Sequence, residues 1–206
     1  IGYGYWGKIL LPKLKKFGNV KFVCTSKDIY DDKLSNLDWV VVATPSQTHY
    51  EIVKNCLSKG INVFCEKSLT LDYKSSLELY DIAEHNNCDL YVDDVFSFRK
   101  ELPQIKESVG NVKEFDVIWK KRGRSDYGKF IMSNLYNLAW HDFYLLYHCV
   151  GDDISDIVKI NTKDKLEFSF NLNGKKINFI YDRLAKMDEH SINNISLMHD
   201  GNDEDT

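Results

Sequence analysis

The fold is decided by the first stretch of the chain, Ile1-Gly2-Tyr3-Gly4-Tyr5-Trp6-Gly7, which a helix-like segment from Lys8 to Phe17 follows at once. Gly2, Gly4 and Gly7 form a complete G-x-G-x-x-G. In such a loop the first glycine permits a tight strand-to-helix turn, the second lets backbone approach a pyrophosphate, and the third lets helix pack on strand. Phosphates then lie on free N–H groups at the helix N-terminus. A glycine triplet alone is weak support for a dinucleotide site, so the following segments matter.

Strand-like and helix-like segments alternate over the first hundred residues. WVVVA, residues 39–43, is a continuous apolar run of the kind that is buried on both faces of a parallel sheet. The other predicted strands are 20–25, 61–65 and 89–95, and the predicted helices are 8–17, 47–58 and about 70–87. This alternation predicts an α/β fold with a Rossmann-type, doubly wound parallel sheet and right-handed crossovers.

After Phe98 the pattern changes to one helix, a strand, another helix and then consecutive strands. The predicted helices are 103–109 and 134–149, and the predicted strands are 112–120, 157–162, 166–172 and 176–181, with Asn173-Gly174 as a hairpin turn. We therefore predict a dinucleotide-binding domain over residues 1–98 and an α+β substrate and oligomerisation domain, with a mainly antiparallel sheet, over residues 99–206. We expect the first strand to begin upstream of Ile1, and the acidic last residues to be a frayed or shortened end.

Composition restricts the classes of partner. Of the 206 residues 43% are apolar and 28% charged, and the net charge of −4 gives no electrostatic case for nucleic acid or an anionic membrane. No apolar run approaches the roughly 18 to 20 residues that span a bilayer, and no signal peptide is visible. The five cysteines are scattered without a C-x-x-C, which favours reduced thiols and a cytoplasmic location.

Four motifs together resemble the Gfo/Idh/MocA family of NAD(P)-dependent sugar and cyclitol dehydrogenases. They are the glycine loop at residues 2–7, Ala43-Thr44-Pro45 with Ser46 and His49, Glu66-Lys67 after a strand, and NLAWHD at residues 137–142. Their order and spacing fit the family over nearly the whole chain. The match is specific in the cofactor half, and beyond residue 100 it rests mainly on one helix.

Lys67 is the first catalytic candidate. The family has Glu-Lys-Pro with a catalytic lysine where this chain has Glu66-Lys67-Ser68, and ligands of open α/β sheets bind beyond the carboxyl ends of strands. A partly desolvated lysine near a nicotinamide would have a lowered pKa, which suits proton transfer. Ser68 removes the fixed φ of proline and any easy cis bond. The alternative for Lys67 is a solvated loop lysine.

His141 is the second catalytic candidate, with Asn137 four residues before it on the same helical face. The resemblance implies that Asn137 orients the ring, but as an amide it adds no negative charge. The alternative is a core histidine on an apolar helix face. His148 is predicted to pack or to line the substrate pocket rather than share a metal with His141. Asp142 faces away from Asn137 and is a weaker catalytic candidate, although it could touch substrate.

The remaining predicted cofactor contacts lie around the strand ends. The resemblance favours contacts from the loop residues Gly2, Gly4, Tyr5, Trp6 and Gly7, and from Thr44, Pro45, Ser46, His49, Glu66 and Lys67. For 44–49 a simple turn and helix cap is the alternative. Ser26 and Lys27 follow Gly7 by 19 and 20 positions, where NAD enzymes carry an acid. A hydroxyl and a cation suit a 2′-phosphate and favour NADP over NAD, while Asp28 keeps NAD open.

The resemblance implies an NAD(P)-dependent oxidoreductase that transfers a hydride between nicotinamide and a secondary alcohol or ketone of a sugar, sugar derivative or polyol. It also implies a homo-oligomer, a dimer or tetramer. No metal site is predicted. Two alternatives remain at this point: a non-catalytic dinucleotide-binding sensor of the same fold, and an unrelated Rossmann enzyme. A basic group, Arg99, Lys120, Lys121, Arg122 and Arg124, suits an acidic or nucleotide-linked sugar or is simply a solvated face.

Overall fold

The computed structural model describes residues 1–122, 139–161 and 165–198. The chain folds as two compact units, the first from Ile1 to Asp94 and the second from Val95 onward. The sequence pattern had placed the change at residue 98.

The first unit contains a three-stranded parallel sheet with helices between its strands. Its strands, in the order β1-β2-β3, are β1 (Trp39–Val42), β2 (Asn62–Cys65) and β3 (Leu90–Val92), and its helices are α1 (Tyr5–Phe17), α2 (His49–Ser58) and α3 (Tyr73–His85). The register aligns the ends of neighbouring strands, with Val42 opposite Cys65 and Cys65 opposite Val92. The predicted α/β fold with a parallel sheet is confirmed, and the loops that follow the three strands emerge at one edge.

The predicted strand 20–25 is absent from this sheet. The Gly2 N–H donates to the Cys24 carbonyl at 2.9 Å, and the Ala43 N–H donates to the Ile1 carbonyl at 2.8 Å. These bonds place Ile1-Gly2 between the two segments. A single backbone bond to Gly2 does not make residues 20–25 a strand of the sheet, although their composition is typical of one.

The helix boundaries follow local chemistry. The α3 helix begins after Asp72, whose carboxylate accepts a hydrogen bond from the Ser75 N–H at 2.9 Å. Thr70, where the predicted helix 70–87 would begin, instead donates its hydroxyl to the Asp72 carbonyl at 2.6 Å. The α2 helix buries the predicted apolar stripe, Ile52, Val53, Cys56 and Leu57.

The second unit is a six-stranded sheet with two described helices, α4 (Leu102–Gly110) and α5 (Trp140–Cys149). In the order β5-β6-β7-β4-β8-β9, its strands are β5 (Ile154–Asn161), β6 (Lys165–Leu172), β7 (Lys175–Ala185), β4 (Glu114–Arg122), β8 (Glu189–Ile192) and β9 (Ile195–Ser196). Only the β4–β7 pair is parallel within this sheet as described, so the mainly antiparallel prediction is confirmed. Strands β8 and β9 were not predicted, and residues 134–138 of the predicted helix lie outside the described residues.

The turn and the core of this unit have clear local causes. Asn173 and Gly174 join β6 to β7 with φ of 47° and 74°, the two positive values that a type I′ hairpin turn requires. Phe143 of α5 stacks on Phe179 of the sheet, with ring centroids 5.8 Å apart and planes 6° from parallel. Phe168 stacks on the same ring at 4.8 Å, so an aromatic layer joins helix to sheet.

None of the helices in the described ranges is long and apolar enough to cross a membrane. All five cysteines lie in those ranges, and each is a free thiol. Cys56 and Cys65 are buried, and burial raises the pKa of Cys56 to about 11.

Candidate functional site

The glycine loop closes the N-terminal end of α1 against the end of β1. Gly2 has a φ of +96°, and a Cβ added there would overlap the carbonyl group of Ala43. A Cβ on Gly7 would overlap the Gly2 carbonyl oxygen. The chain itself therefore requires glycine at the first and third positions of the motif, for a tight turn and for close packing.

Gly4, the middle glycine, differs from both. A Cβ built there meets nothing within 4 Å, and its φ of −80° is accessible to any residue. Beside it, Tyr5 and Trp6 are 76% and 51% exposed, with their rings in an edge-to-face contact at 5.5 Å. The fold by itself gives no reason for a glycine at this position, whereas a phosphate approaching the backbone would require one.

Two carboxyl groups meet at the ends of neighbouring strands. Glu66 follows β2 and Asp93 follows β3, and their backbone N–H groups donate to Val42 at 2.9 Å and to Cys65 at 2.7 Å. The two side chains interact, and a hydrogen bond with Asp93 is among the effects that favour the protonated form of Glu66. Burial, and secondly the charge of Asp93, raise the pKa of Glu66 to about 7.

Lys67 lies next to this carboxyl pair. Burial lowers the pKa of its amine, and the negative charge of Glu66 partly opposes that effect. The peptide bond between Lys67 and Ser68 is cis, although Ser68 has replaced the proline of the family motif. Ser68 itself is buried, at 2% exposure. A partly buried amine with a lowered pKa, beside a protonatable carboxyl group, is suited to accepting or releasing a proton.

His49 joins the loops that follow β1 and β2. Its ring is fully buried, with Nδ1 2.7 Å from the Ser68 carbonyl oxygen and Nε2 2.8 Å from the Thr44 carbonyl oxygen. The Thr48 hydroxyl lies in the same loop, 2.8 Å from the Thr44 hydroxyl and 2.8 Å from the Pro45 carbonyl oxygen, to both of which it can donate. Within the chain, both ring nitrogens of His49 are therefore occupied by backbone oxygens.

Ser46 begins a short 3-10 turn, Ser46–Thr48, that leads into α2, and no side-chain cap bond is formed at its start. Thr44, Pro45 and Ser46 thus form the connection between β1 and that turn. Both the predicted cofactor contact and the simple-turn alternative are compatible with this placement.

The loop predicted to choose between NAD and NADP is exposed. The Asp28 carboxylate accepts bonds from the Thr25 N–H and from the Thr25 hydroxyl, both at 2.7 Å, and these bonds hold the pKa of Asp28 below its usual range. The Lys27 N–H donates to the Thr25 hydroxyl at 3.3 Å. Asp28 therefore closes the turn, while Ser26 and Lys27 lie exposed on it.

In the second unit His141 lies in the first turn of α5, and its ring stacks on Phe96 at 4.2 Å with planes 17° apart. Its predicted partner, Asn137, lies outside the described residues. His148 is exposed on the same helix, beside the rings of Tyr144 and Tyr147, so it lines no core.

A buried ion-pair-like contact lies next to His141. Asp142 Oδ1 is 2.6 Å from Nε2 of His190 on β8, and the two side chains are 0% and 5% exposed. The Trp119 ring lies 4.0 Å from the His190 ring. Burial raises the pKa of Asp142, while the hydrogen bond from His190 acts in the opposite direction. The Asp142 side chain is sealed inside the unit, which favours a structural role over contact with substrate.

The predicted basic group is only partly described. Arg99 is nearly buried, where it donates to the Leu197 carbonyl at 2.8 Å and pairs with Glu101 at 3.3 Å. Lys120 pairs with Glu189 at 2.7 Å. The side chains of Lys121, Arg122 and Arg124 lie outside the description. Among the side chains that are described, no three candidate ligands converge on a metal position.

Sequence reasoning missed Asp93, Phe96, Trp119 and His190. Asp93 carried a usable signal, since it lies near the end of the predicted strand 89–95, the next strand after the one that precedes Glu66. His190 carried none, because its contact with Asp142 depends on the pairing of β4 with β8, a strand too short and polar to be predicted.

Comparison with known proteins gives one family. The model of the Gfo/Idh/MocA family, an oxidoreductase family with an NAD-binding Rossmann fold, matches residues 9–94. An uncharacterised oxidoreductase of Schizosaccharomyces pombe is 33% identical over 102 residues, which is 50% of this chain and 27% of that protein. Inositol 2-dehydrogenase 4 of Saccharopolyspora erythraea is 47% identical over 47 residues, 23% of this chain and 14% of that protein. The chain thus matches about a quarter, or less, of these relatives' length.

Solved structures share the fold. A UDP-N-acetylglucosamine 3-dehydrogenase from Acidithiobacillus ferrooxidans superposes with a TM-score of 0.80 at 17% identity, covering 93% of this chain and 70% of that one. The WlbA dehydrogenase from Thermus thermophilus, solved with NAD and α-ketoglutarate, gives a TM-score of 0.64 at 19% identity, covering 75% of this chain and 53% of that one. At such identities the likeness establishes the fold alone.

Proposed function

We propose that the chain is an NAD(P)-dependent dehydrogenase or reductase, because the model of the Gfo/Idh/MocA oxidoreductase family matches residues 9–94. Its reaction would move a hydride between nicotinamide and a secondary alcohol or ketone of a sugar, sugar derivative or polyol. The resemblance in the motifs supports this substrate class. So does the similar protein that is named as an inositol 2-dehydrogenase.

The observation that carries the proposal is the difference among the three glycines. Gly2 and Gly7 are required by contacts inside the chain, whereas the space in front of Gly4 is open. A dinucleotide pyrophosphate on the N-terminus of α1 accounts for all three glycines, because its oxygens would approach the Gly4 backbone and take the free N–H groups there. The residues present therefore fit this cofactor.

When bound, NAD(P) supplies the hydride acceptor or donor, and the chain handles position and protons. In this proposal Lys67 holds or removes the proton of the reacting hydroxyl, which its lowered pKa favours. The protonatable Glu66–Asp93 pair beside it provides a place for that proton. His141, with its ring plane held by Phe96, is the second proton-handling group, and Asn137 would orient it.

The preferred cofactor in this proposal is NADP. Asp28 uses its carboxylate to close the turn with Thr25, and Ser26 and Lys27 offer a hydroxyl and a cation on the same exposed loop. A 2′-phosphate would find a positive partner there. Titration of the same protein with NADPH and with NADH tests this preference directly.

Assembly into a homo-oligomer belongs to the same proposal. The resemblance implies it, and the edge strand β5 supports it by exposing Ile154, Ile157 and Val158 at 50%, 69% and 54%. Sedimentation of the purified chain would test whether this face is covered.

The first experiment is a fluorescence titration of the chain with NADPH and NADH, repeated on Gly4→Ala. We expect one cofactor to bind the wild type and Gly4→Ala to weaken binding at least about tenfold, because a Cβ would stand where the phosphate approaches. Gly18→Ala is the matched control, since that glycine ends the same helix and is equally open. If Gly4→Ala binds like wild type, the pyrophosphate does not lie on this loop.

Lys67→Met then separates binding from chemistry. The variant should keep its cofactor affinity but lose about 10²- to 10⁴-fold in kcat in a screen of inositols and nucleotide-linked sugars. Lys74→Met, on the exposed face of α3, should turn over like wild type. Cofactor binding without turnover by the wild type, over that whole substrate class, would favour a non-catalytic sensor instead.

A further inference from the structure

The hydrogen bonds of His49 demand more protons than a neutral ring carries. Its two ring nitrogens lie 2.7 Å and 2.8 Å from carbonyl oxygens, both within the normal range of an N–H···O bond. A carbonyl oxygen accepts but never donates, so each contact requires an N–H on the imidazole. Neutral histidine has one N–H and one lone pair.

In either neutral tautomer a ring lone pair would point at a carbonyl oxygen less than 3 Å away. Only the imidazolium donates to both oxygens, and charge-assisted bonds of this kind are stronger than neutral ones. The start of α2 opposes a positive charge through the helix dipole. Protonation of the ring nevertheless gains more than this penalty. It replaces one neutral hydrogen bond and one repulsive lone-pair contact with two charge-assisted hydrogen bonds.

The two carbonyl groups belong to neighbouring loops of the candidate site. Thr44 is two residues beyond β1, and Ser68 is three residues beyond β2, directly after Lys67. The strands end opposite one another, with Val42 paired to Cys65. The ring of His49 therefore joins the two loops at the edge of the sheet where ligands of this architecture bind.

We propose that His49 is a positioning residue, an imidazolium whose two N–H groups tie the Thr44 loop to the Ser68 loop and thereby hold the backbone beside Lys67. The role of Lys67 rests on the proposed function, whereas the protonation of the ring rests on its contacts alone. Ionisable groups adjoin the contact through the Ser68 loop, namely Lys67 and the carboxyl pair of Glu66 and Asp93.

The first test is the nitrogen NMR signature of His49 in the ligand-free chain at neutral pH. An imidazolium gives two nitrogen signals of the protonated type, both coupled to ring protons, whereas a neutral ring gives one protonated and one unprotonated nitrogen. His85, exposed near the end of α3, is the internal reference for an ordinary histidine. Two protonated nitrogens in His49 are expected, and an unprotonated one would overturn the proposal.

The second test reads the effect on Lys67. Glutamine in His49→Gln cannot donate to two oxygens on opposite sides, so the loops should part and Lys67 should become better solvated. The titration midpoint of the Lys67 side chain, followed by ¹³C NMR of its ε-carbon, should then rise toward that of an ordinary lysine. His85→Gln should leave it unchanged. An unchanged midpoint in a folded His49→Gln would refute the positioning role.

The two readouts also separate this proposal from the proposed function. Both are taken without cofactor or substrate, so they stand even if neither NADPH nor NADH binds the wild type. Such a failure would remove the oxidoreductase proposal only. If His49→Gln does not fold, the nitrogen signature of the wild type decides the matter alone.

Discussion

The two buried histidines, His49 and His190, lie in different kinds of polar site. His49 faces two backbone carbonyl groups at the edge of the parallel sheet, beside Lys67 and the glycine loop. His190 faces a carboxylate, that of Asp142, and both side chains are sealed among aromatic rings in the second unit. In the first site, burial is partial and an open position, Gly4, remains for a ligand.

Under the proposed function, this contrast separates groups that exchange protons with a ligand from groups that hold the fold. A carboxyl group such as Glu66, with its pKa raised to about 7 and Lys67 as neighbour, changes its charge at physiological pH. The Asp142–His190 pair has no such access, and its contribution is to the packing around His141. The same residue types therefore predict activity at one site and stability at the other.

The largest expected effect is the loss of Asp142. Asp142→Ala leaves His190 buried without its carboxylate partner, which should cost about 3–5 kcal/mol in the free energy of unfolding. Urea unfolding followed by tryptophan fluorescence measures it, with Trp119 on the His190 ring as a reporter. The exposed Asp152→Ala should change that energy by no more than about 0.5 kcal/mol. A cost of less than about 1 kcal/mol for Asp142→Ala would mean that the pair does not hold this unit.

The second effect depends on pH and concerns Glu66. Because its folded pKa lies near 7, above the usual 4.5, Glu66 stabilises the fold below pH 4.5 and loses that contribution as the pH rises to about 7. Glu66→Gln cannot ionise, so the fall in the free energy of unfolding between pH 4.5 and 8 should shrink by about 1–3 kcal/mol.

Urea unfolding of both proteins at several pH values measures this difference. Glu84→Gln, on the exposed part of α3, serves as control and should keep the wild-type slope. Identical slopes for wild type and Glu66→Gln would show that the carboxyl pair with Asp93 holds no extra proton, and would remove the proton acceptor from the proposed mechanism.

The sequence pattern predicts the first unit better than the second for a physical reason. The glycine loop, the apolar run of β1 and the position of Lys67 after β2 are all local signals, and the structure places them at one sheet edge because parallel strands end together. The exception is the segment 20–25, whose composition suits a strand but which forms no ladder, since its described bond to the Ile1-Gly2 segment is the single one from the Gly2 N–H to the Cys24 carbonyl. Residue composition indicates a preference for extended backbone, but a β-strand also requires regular hydrogen bonds to a neighbouring strand.

In the second unit the informative contacts join residues far apart in the chain. Asp142 and His190 are 48 positions apart, and they meet only because β8 pairs antiparallel with β4. The spacing of residues in the sequence does not predict which distant strands pair, so it could not predict this contact. Periodicity correctly placed Asp142 on a helix, but the side of the helix that is sealed depends on the sheet beneath it.

The smallest effect sharpens the comparison within one pair of strands. Lys120 and Glu189 face each other one register step from Trp119 and His190, at 2.7 Å, but their side chains are 35% and 32% exposed. Water therefore screens this pair, and Glu189→Gln should cost only about 0.2–1 kcal/mol in the free energy of unfolding. The same urea series, repeated at high salt, should reduce that cost further. If Glu189→Gln cost as much as Asp142→Ala, burial would not be what distinguishes the two pairs, and the strand pairing itself would have to explain both losses.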